Sequence, residues 1–427
     1  MNKHDDKSSG SINRKGFVAS TAAAAGALSV SNIVSGAEND TEIKIALIGC
    51  GGRGTGAAKQ AMNVRKGIKI VAVADAFADK CEKTIKALKL DVPSSMVFSG
   101  FDAYKQAIDQ SGCDLVILTT PPGFRPIHFE YAVNAGKMVF MEKPVAVDAP
   151  GIRKVLATAE LAKKKKLAVA VGLQRHHEEA YHDIIDRLRD GAIGNIDEAR
   201  VFWNSGGVWT RPRTADQSEM EYQMRNWYYF NWLCGDHINE QHIHNLDVIN
   251  WMKNAYPVSA EGMGGRQARI GKDWGEIYDH HFVEYTYADG SRMYSQCRHI
   301  KNTVKRVAEF VYGDKGTCDI SRGIIRGSKN YMSRGKRGGH QQEWFNLIAA
   351  IDKGEVPNEA EYGAKSTMTA IMGRMATYSG KTIKWDEAIN SSIDLSPAKY
   401  SWDADPGPKM ASNGLYPSPI PGVTKTV

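Results

Sequence analysis

The chain has 427 residues, 42% of them hydrophobic and 24% charged, which is ordinary for a water-soluble fold and long enough for two domains. Its formal charge of +7 includes no dense basic block interleaved with aromatics, so no nucleic-acid partner is expected; the lysine run at 163–166 reads as a solvated helix face. The six cysteines, at 50, 81, 113, 234, 297 and 318, contain no Cys-x-x-Cys pair, which argues against a thiolate zinc site or redox dithiol and for small buried thiols.

Residues 1–37 read as an export signal. Arg14, Lys15, Phe17 and Val18 precede an alanine-rich apolar stretch at 19–34, and Ser35, Gly36 and Ala37 supply the small residues of a cleavage site. The pattern is twin-arginine-like with a lysine in second place, and implies a periplasmic protein. The stretch is too short and too weakly apolar for a membrane span, so no stable membrane insertion is expected.

From residue 38 to 172 the pattern is that of an α/β, Rossmann NAD(P)-binding domain. The apolar run 43–48 predicts a strand covered on both faces, entering the turn Gly49, Cys50, Gly51, Gly52, Arg53, Gly54. This is G-x-G-x-x-G, and a helix is predicted over 55–64. The first glycine permits the turn, the second lets backbone approach a pyrophosphate, and the third lets helix pack on strand. A second strand at 68–74 ends in Asp75, placed to accept hydrogen bonds from ribose hydroxyls. Ala76 and Phe77 follow, with no arginine for a 2′-phosphate, which favours NAD over NADP. Helices are predicted at 81–88, 104–110 and 127–135, with strands at 114–119, 138–141 and 167–173. Thr120 and Pro121 end one strand, and Glu142, Lys143 and Pro144 another. Ligands bind at such carboxyl edges.

These motifs in this order, with His128 and a later His-x-x-Asp, resemble the Gfo/Idh/MocA oxidoreductases, named for glucose–fructose oxidoreductase, inositol dehydrogenase and a rhizopine-catabolism enzyme. The resemblance covers nearly all of residues 38–427 and implies an NAD-linked enzyme acting on a sugar, cyclitol or glycoside hydroxyl. It implies that Gly49, Gly51, Gly52, Arg53, Gly54, Asp75, Thr120, Pro121, His128, Glu142 and Lys143 hold the cofactor. Lys143 would polarise the reacting oxygen and His244 exchange its proton, with Asp247 three residues on. The family commonly reads Asp-x-Gly-x-His; here Glu240 and His242 stand at the first and third positions. Glu240 keeps a carboxylate able to orient His244, and His242 adds a second ring.

Residues 173–385 are expected to form an α+β domain with an open, mostly antiparallel sheet. Alternating strands are predicted at 198–203, 282–287, 293–297 and 306–312, after a helix at 180–190. The resemblance makes this sheet a substrate wall and an oligomer interface, implying a homo-dimer or tetramer. Trp203, Trp209, Trp227 and Trp232, with Arg211, Arg213 and Arg225, suggest a sugar-binding loop, and Arg175, His176, Trp227, His242 and Asp247 are the expected substrate contacts. The histidines and carboxylates from 176 to 247 lack H-E-x-x-H, and no metal is expected. Helices at 340–353 and 364–380 would return to the Rossmann half, and residues 386–427 would form an extended tail on the surface or across a neighbouring subunit.

Three functions follow from this reading. The first is net hydride transfer. The second is glycosidase or lyase chemistry by transient oxidation, elimination and re-reduction. The third is non-catalytic sugar binding. Export would favour a cofactor held tightly through each cycle, since free dinucleotide is scarce outside the cytoplasm.

Overall fold

The computed structural model describes residues 41–427; the export-signal reading at residues 1–37 lies outside them. The amino-terminal part alternates strand and helix: β1 Ile43–Ile48, α1 Gly52–Met62, β2 Ile68–Asp75, α2 Ala78–Leu88, β3 Val97–Ser99, α3 Ala103–Gln110, β4 Leu115–Leu118, α4 Arg125–Asn134, β5 Met138–Met141, α5 Ala149–Lys164 and β6 Val169–Val171. The six strands pair in parallel in the order β3-β2-β1-β4-β5-β6. Strand β4 is wholly buried, as its unbroken apolar sequence requires, and β1 is buried except at Lys44 near its start. The strand order reverses between β1 and β4, and the crevice above their carboxyl ends is where such sheets take ligands.

The carboxy-terminal part runs through α6 Glu179–Arg189, β7 Ile196–Ser205, α7 Glu219–Arg225, the short turns α8 Asn231–Cys234 and α9 His237–Glu240, and α10 Ile243–Lys253. It continues with β8 Ser259–Gly265, β9 His280–Thr286, β10 Arg292–His299, β11 Arg306–Gly313, β12 Gly316–Asp319, β13 Ile324–Gly327 and β14 Tyr331–Met332. Last come α11 Gly339–Asp352, α12 Ala360–Ser379, β15 Ile383–Lys384 and α13 Trp385–Ile389. Nine strands form one sheet in the order β14-β13-β12-β11-β7-β10-β9-β8-β15. All its pairs are antiparallel except β7 with β10.

Burial alternates along β10, so one face is covered and the other open. Helix α12 supplies much of the cover: nearly all of its 20 residues are buried, because it packs against β8 and β9 on one side and α5 on the other. Helix α11 lies back on the parallel sheet, where Trp344 is fully buried and stacks on Phe140 with ring centroids 4.3 Å apart. All six cysteines are free and buried. Among the described residues, no helix is long and apolar enough to cross a membrane.

Candidate functional site

A cavity of about 990 Å³ opens above the carboxyl edge of the parallel sheet. It runs from Phe77 and Phe101, past the glycine turn, to Lys143, Glu240, His244, Trp203 and Trp227. The chain thus brings Gly49, Gly51, Gly52, Arg53, Gly54, Asp75, Thr120, Pro121, His128, Glu142, Lys143, Arg175, Trp227, Glu240 and His244 to one space. His176, His242 and Asp247 do not reach it.

The glycine turn is shaped by contact on one side and space on the other. Gly49 has φ +99°, and a Cβ on Gly54 would stand 1.9 Å from the Gly49 carbonyl oxygen. By contrast, a Cβ on Gly51 or Gly52 would meet nothing within 4 Å, since both face the cavity. Gly51 caps α1 without any side-chain hydrogen bond, and the first turn carries no acid, so its amides and the dipole end point at open space. That arrangement fits a pyrophosphate. Asp75 braces the turn: its Oδ2 accepts the Cys50 N–H at 2.7 Å and its Oδ1 the Phe77 N–H at 3.0 Å. Burial raises its pKa, against the pull of these two amides.

Several expected cofactor ligands also brace one another. The Arg53 guanidinium is bonded to Glu142, to Glu343 Oε1 at 3.1 Å and to Gln60 Oε1 at 2.9 Å. Burial, and then the neighbouring Glu142 charge, push the Glu343 carboxyl well above the usual range. His128 bonds Thr120 Oγ1 at 3.1 Å and lies beside Tyr104 and Phe124, with centroids at 4.1 and 5.8 Å. Burial, then Arg125, lower its pKa to about 3, so it is a neutral strut beneath Thr120 and Pro121.

Lys143 ends the stretch after β5, its peptide to Pro144 cis. Its Nζ donates to the Glu240 carbonyl oxygen at 2.5 Å and lies 3.5 Å from Glu240 Oε1. Glu240 therefore serves Lys143 and accepts from Gln241 Nε2 at 2.8 Å; the expected orientation of His244 by Glu240 is not what the fold builds, because the carboxyl turns toward the ammonium. Burial raises the Glu240 pKa while Lys143 opposes it. His244 opens α10, lies over Trp203 with centroids 5.9 Å apart, and has a buried Nδ1 without a partner. Burial and then the Lys143 charge hold its pKa well below the ordinary value, so the ring is neutral.

Of the remaining expected substrate contacts, Trp227 and Arg175 line the cavity, whereas His176, His242 and Asp247 lie away from it. Arg175 touches the cavity, but its guanidinium is paired with buried Glu309, which Tyr181 also bonds. His176 bonds Asp247 Oδ2 at 2.7 Å between the rings of Trp251 and Tyr362, 4.2 and 4.5 Å away. Asp247 also accepts from Ser366 at 2.7 Å. His242 bonds Ser295 at 2.8 Å, fully buried. These groups hold α10 against its neighbours.

Asp236, His237 and His281 do gather in the interior. The Asp236 carboxylate, however, is already bonded to His237 Nδ1 at 2.7 Å, to the Tyr278 N–H at 3.0 Å and to the Tyr378 hydroxyl at 2.5 Å. It is the hub of a hydrogen-bond network. Cavity residues that only the fold reveals include Lys80, Lys83, Phe101, Gln241 and His340.

Comparison with known proteins agrees with this geometry. Residues 43–173 match the family model GFO_IDH_MocA, described as an oxidoreductase family with an NAD-binding Rossmann fold. An inositol 2-dehydrogenase of Serratia proteamaculans is 28% identical over 254 residues, covering 59% of this chain and 66% of that protein. One of Klebsiella pneumoniae is 30% identical over 215 residues, covering 50% and 55%. The chain thus aligns with less than two thirds of the length of these relatives.

Among solved structures, scyllo-inositol dehydrogenase of Lactobacillus casei with bound NAD(H) and scyllo-inositol superposes with a TM-score of 0.62 at 18% identity, covering 81% of this chain and all 100% of that one. Aldose–aldose oxidoreductase of Caulobacter crescentus, complexed with glycerol, gives 0.64 at 17%, covering 80% and 99%. These likenesses establish the two-part fold.

Proposed function

We propose that this chain, whose residues 43–173 carry the NAD-binding Rossmann fold of the Gfo/Idh/MocA oxidoreductases, is an NAD-linked enzyme acting on a hydroxyl or keto group of a sugar, cyclitol or glycoside. The observation that carries the reading is the continuity of one cavity from the glycine turn to Lys143 and His244. The space fits both partners: 990 Å³ is at the upper end of ordinary ligand pockets. The inositol dehydrogenase relatives and the neighbour holding NAD(H) and scyllo-inositol support the substrate class.

When bound, NAD accepts or returns the hydride. The first-turn amides of α1 hold its pyrophosphate, and the end of β2 its adenosine half. The chain's own residues do the rest. The Lys143 ammonium, fixed by the Glu240 carbonyl, donates to the substrate oxygen and stabilises alkoxide character there. His244, neutral and lining the cavity beside Lys143, receives the hydroxyl proton in oxidation and returns it in reduction. Trp203 and Trp227 line the cavity as apolar surface on which a sugar's C–H face can pack. The homo-oligomer, the export route and permanent cofactor retention belong to the same proposal. They are supported respectively by the open sheet face, by Arg14 to Ala37 and by the scarcity of free dinucleotide outside the cytoplasm.

One observation favours a second outcome at the same site. Glu240 is a buried carboxyl with a raised pKa beside Lys143, a further proton carrier suited to elimination after transient oxidation. A panel of sugars, inositols and aryl glycosides separates the two. Net NADH formation supports dehydrogenation, and aglycone release without net NADH supports elimination. Neither signal from a protein that binds NAD would overturn both.

A further inference from the structure

Residues 395–416 lie on the body of their own chain, pinned at both ends. The Leu395 N–H donates to Asp148 Oδ2 at 2.9 Å. Gln223 Nε2 donates to the Pro408 carbonyl at 2.8 Å. Tyr416 is fully buried against Phe230, bonded to Glu219 and, at 2.9 Å, to Arg213. Between these anchors two aromatic rings turn inward. Trp402 lies 4.7 Å from Phe101 and 5.2 Å from Phe77 by ring centroids; Tyr400 lies 5.4 Å from Phe124 and 6.2 Å from Phe101.

Phe77 and Phe101 line the large cavity on the β2–β3 side of the sheet, whereas Lys143 follows β5 on the other side. The strap therefore braces the walls of the end where the adenosine half would sit. Trp402 is not itself in the cavity lining: it backs Phe77 and Phe101 from behind and is 37% exposed on the outer surface. Rings fixed before binding lose less freedom when a flat base enters between them.

We propose that the carboxy-terminal strap is a retention element for the adenine end of the dinucleotide, with Trp402 and Tyr400 as positioning residues that fix Phe77 and Phe101. This inference rests on the dinucleotide reading above. Without the Trp402 ring, Phe101 keeps Tyr400 and Phe77 keeps the Arg225 guanidinium, 4.0 Å from its centroid, but both lose their shared brace, stacking on adenine weakens, and NAD leaves sooner.

The test uses the full chain as wild type, Trp402→Ala, Trp402→Leu and Trp402→Phe. NADH release is followed by fluorescence during a chase with excess NAD, beside titrations with AMP and nicotinamide mononucleotide and a thermal melt. Release should be several-fold faster in Trp402→Ala and Trp402→Leu, up to the roughly tenfold worth of one direct aromatic stacking partner, and near wild type in Trp402→Phe. AMP affinity should fall in parallel, nicotinamide mononucleotide affinity should hold, and the melts should agree. Equal release rates in wild type and Trp402→Leu, or an equal loss for both half-molecules, overturn the strap and leave the dinucleotide reading standing. A wild type that takes up no NAD overturns both.

Discussion

Arg53, in the glycine turn, forms an ion pair with Glu142, the residue before Lys143. One guanidinium therefore ties the loop that would hold phosphates to the segment that presents the lysine, and Glu343 from α11 closes the tie at 3.1 Å. Replacing Arg53 by Met removes the cation that the buried Glu142 and Glu343 carboxyls share. Loss of about 3 kcal/mol is expected, read by urea unfolding. Arg53→Met combined with Glu343→Gln should recover part of it, because one of the stranded charges is gone. An unchanged unfolding midpoint in Arg53→Met would contradict the tie.

Gly51 and Gly54 should separate folding from binding. A Cβ on Gly54 collides with the Gly49 carbonyl, so Gly54→Ala is expected to destabilise the fold itself. A Cβ on Gly51 enters only the cavity, so Gly51→Ala should melt like wild type while its NAD affinity falls tenfold or more, about 1.4 kcal/mol. Calorimetric titration beside a melt checks both.

Lys143→Met should lower turnover by about a hundredfold or more while NAD still binds, since the ammonium acts on the reacting oxygen. His244→Asn should behave likewise, and Glu240→Gln more mildly, because the Glu240 carbonyl, its shortest link to Lys143, is backbone. Steady-state rates with the best substrate of the panel, paired with NAD titrations, check this.

Glu276 gives a pH signature outside the cavity. Burial raises its pKa from 4.5 to about 7, so the folded carboxyl keeps a proton that the unfolded chain has released. The folded state then binds more protons in that window, and stability falls as pH rises from 4.5 toward 7. Glu276→Gln should flatten this decline in a series of urea titrations across the window.

Much of the Rossmann half was legible because its signals are local. Ile45 to Ile48 and the run from Leu115 to Leu118 are unbroken apolar stretches, and the glycine turn needs its residues within six positions. Ser259–Gly265 has the composition of a loop and is a strand only because β9 pairs with it. His176, His242 and Asp247 have the right chemistry and sequence neighbourhood for a substrate site. Their partners, Trp251, Ser295 and Ser366, are set by packing, which spacing does not encode. The contact of Trp402 with Phe77 joins residues more than three hundred positions apart, beyond any local pattern.

In the proposed function, one cavity holds NAD and aims it at Lys143 and His244. A crystal structure of the chain with saturating NAD tests it most directly. Pyrophosphate density is expected over Gly51 and Gly52, adenine against Phe77 and Phe101, and the nicotinamide ring against Lys143 and His244. A dinucleotide bound elsewhere, or a nicotinamide turned away from those two side chains, would contradict it.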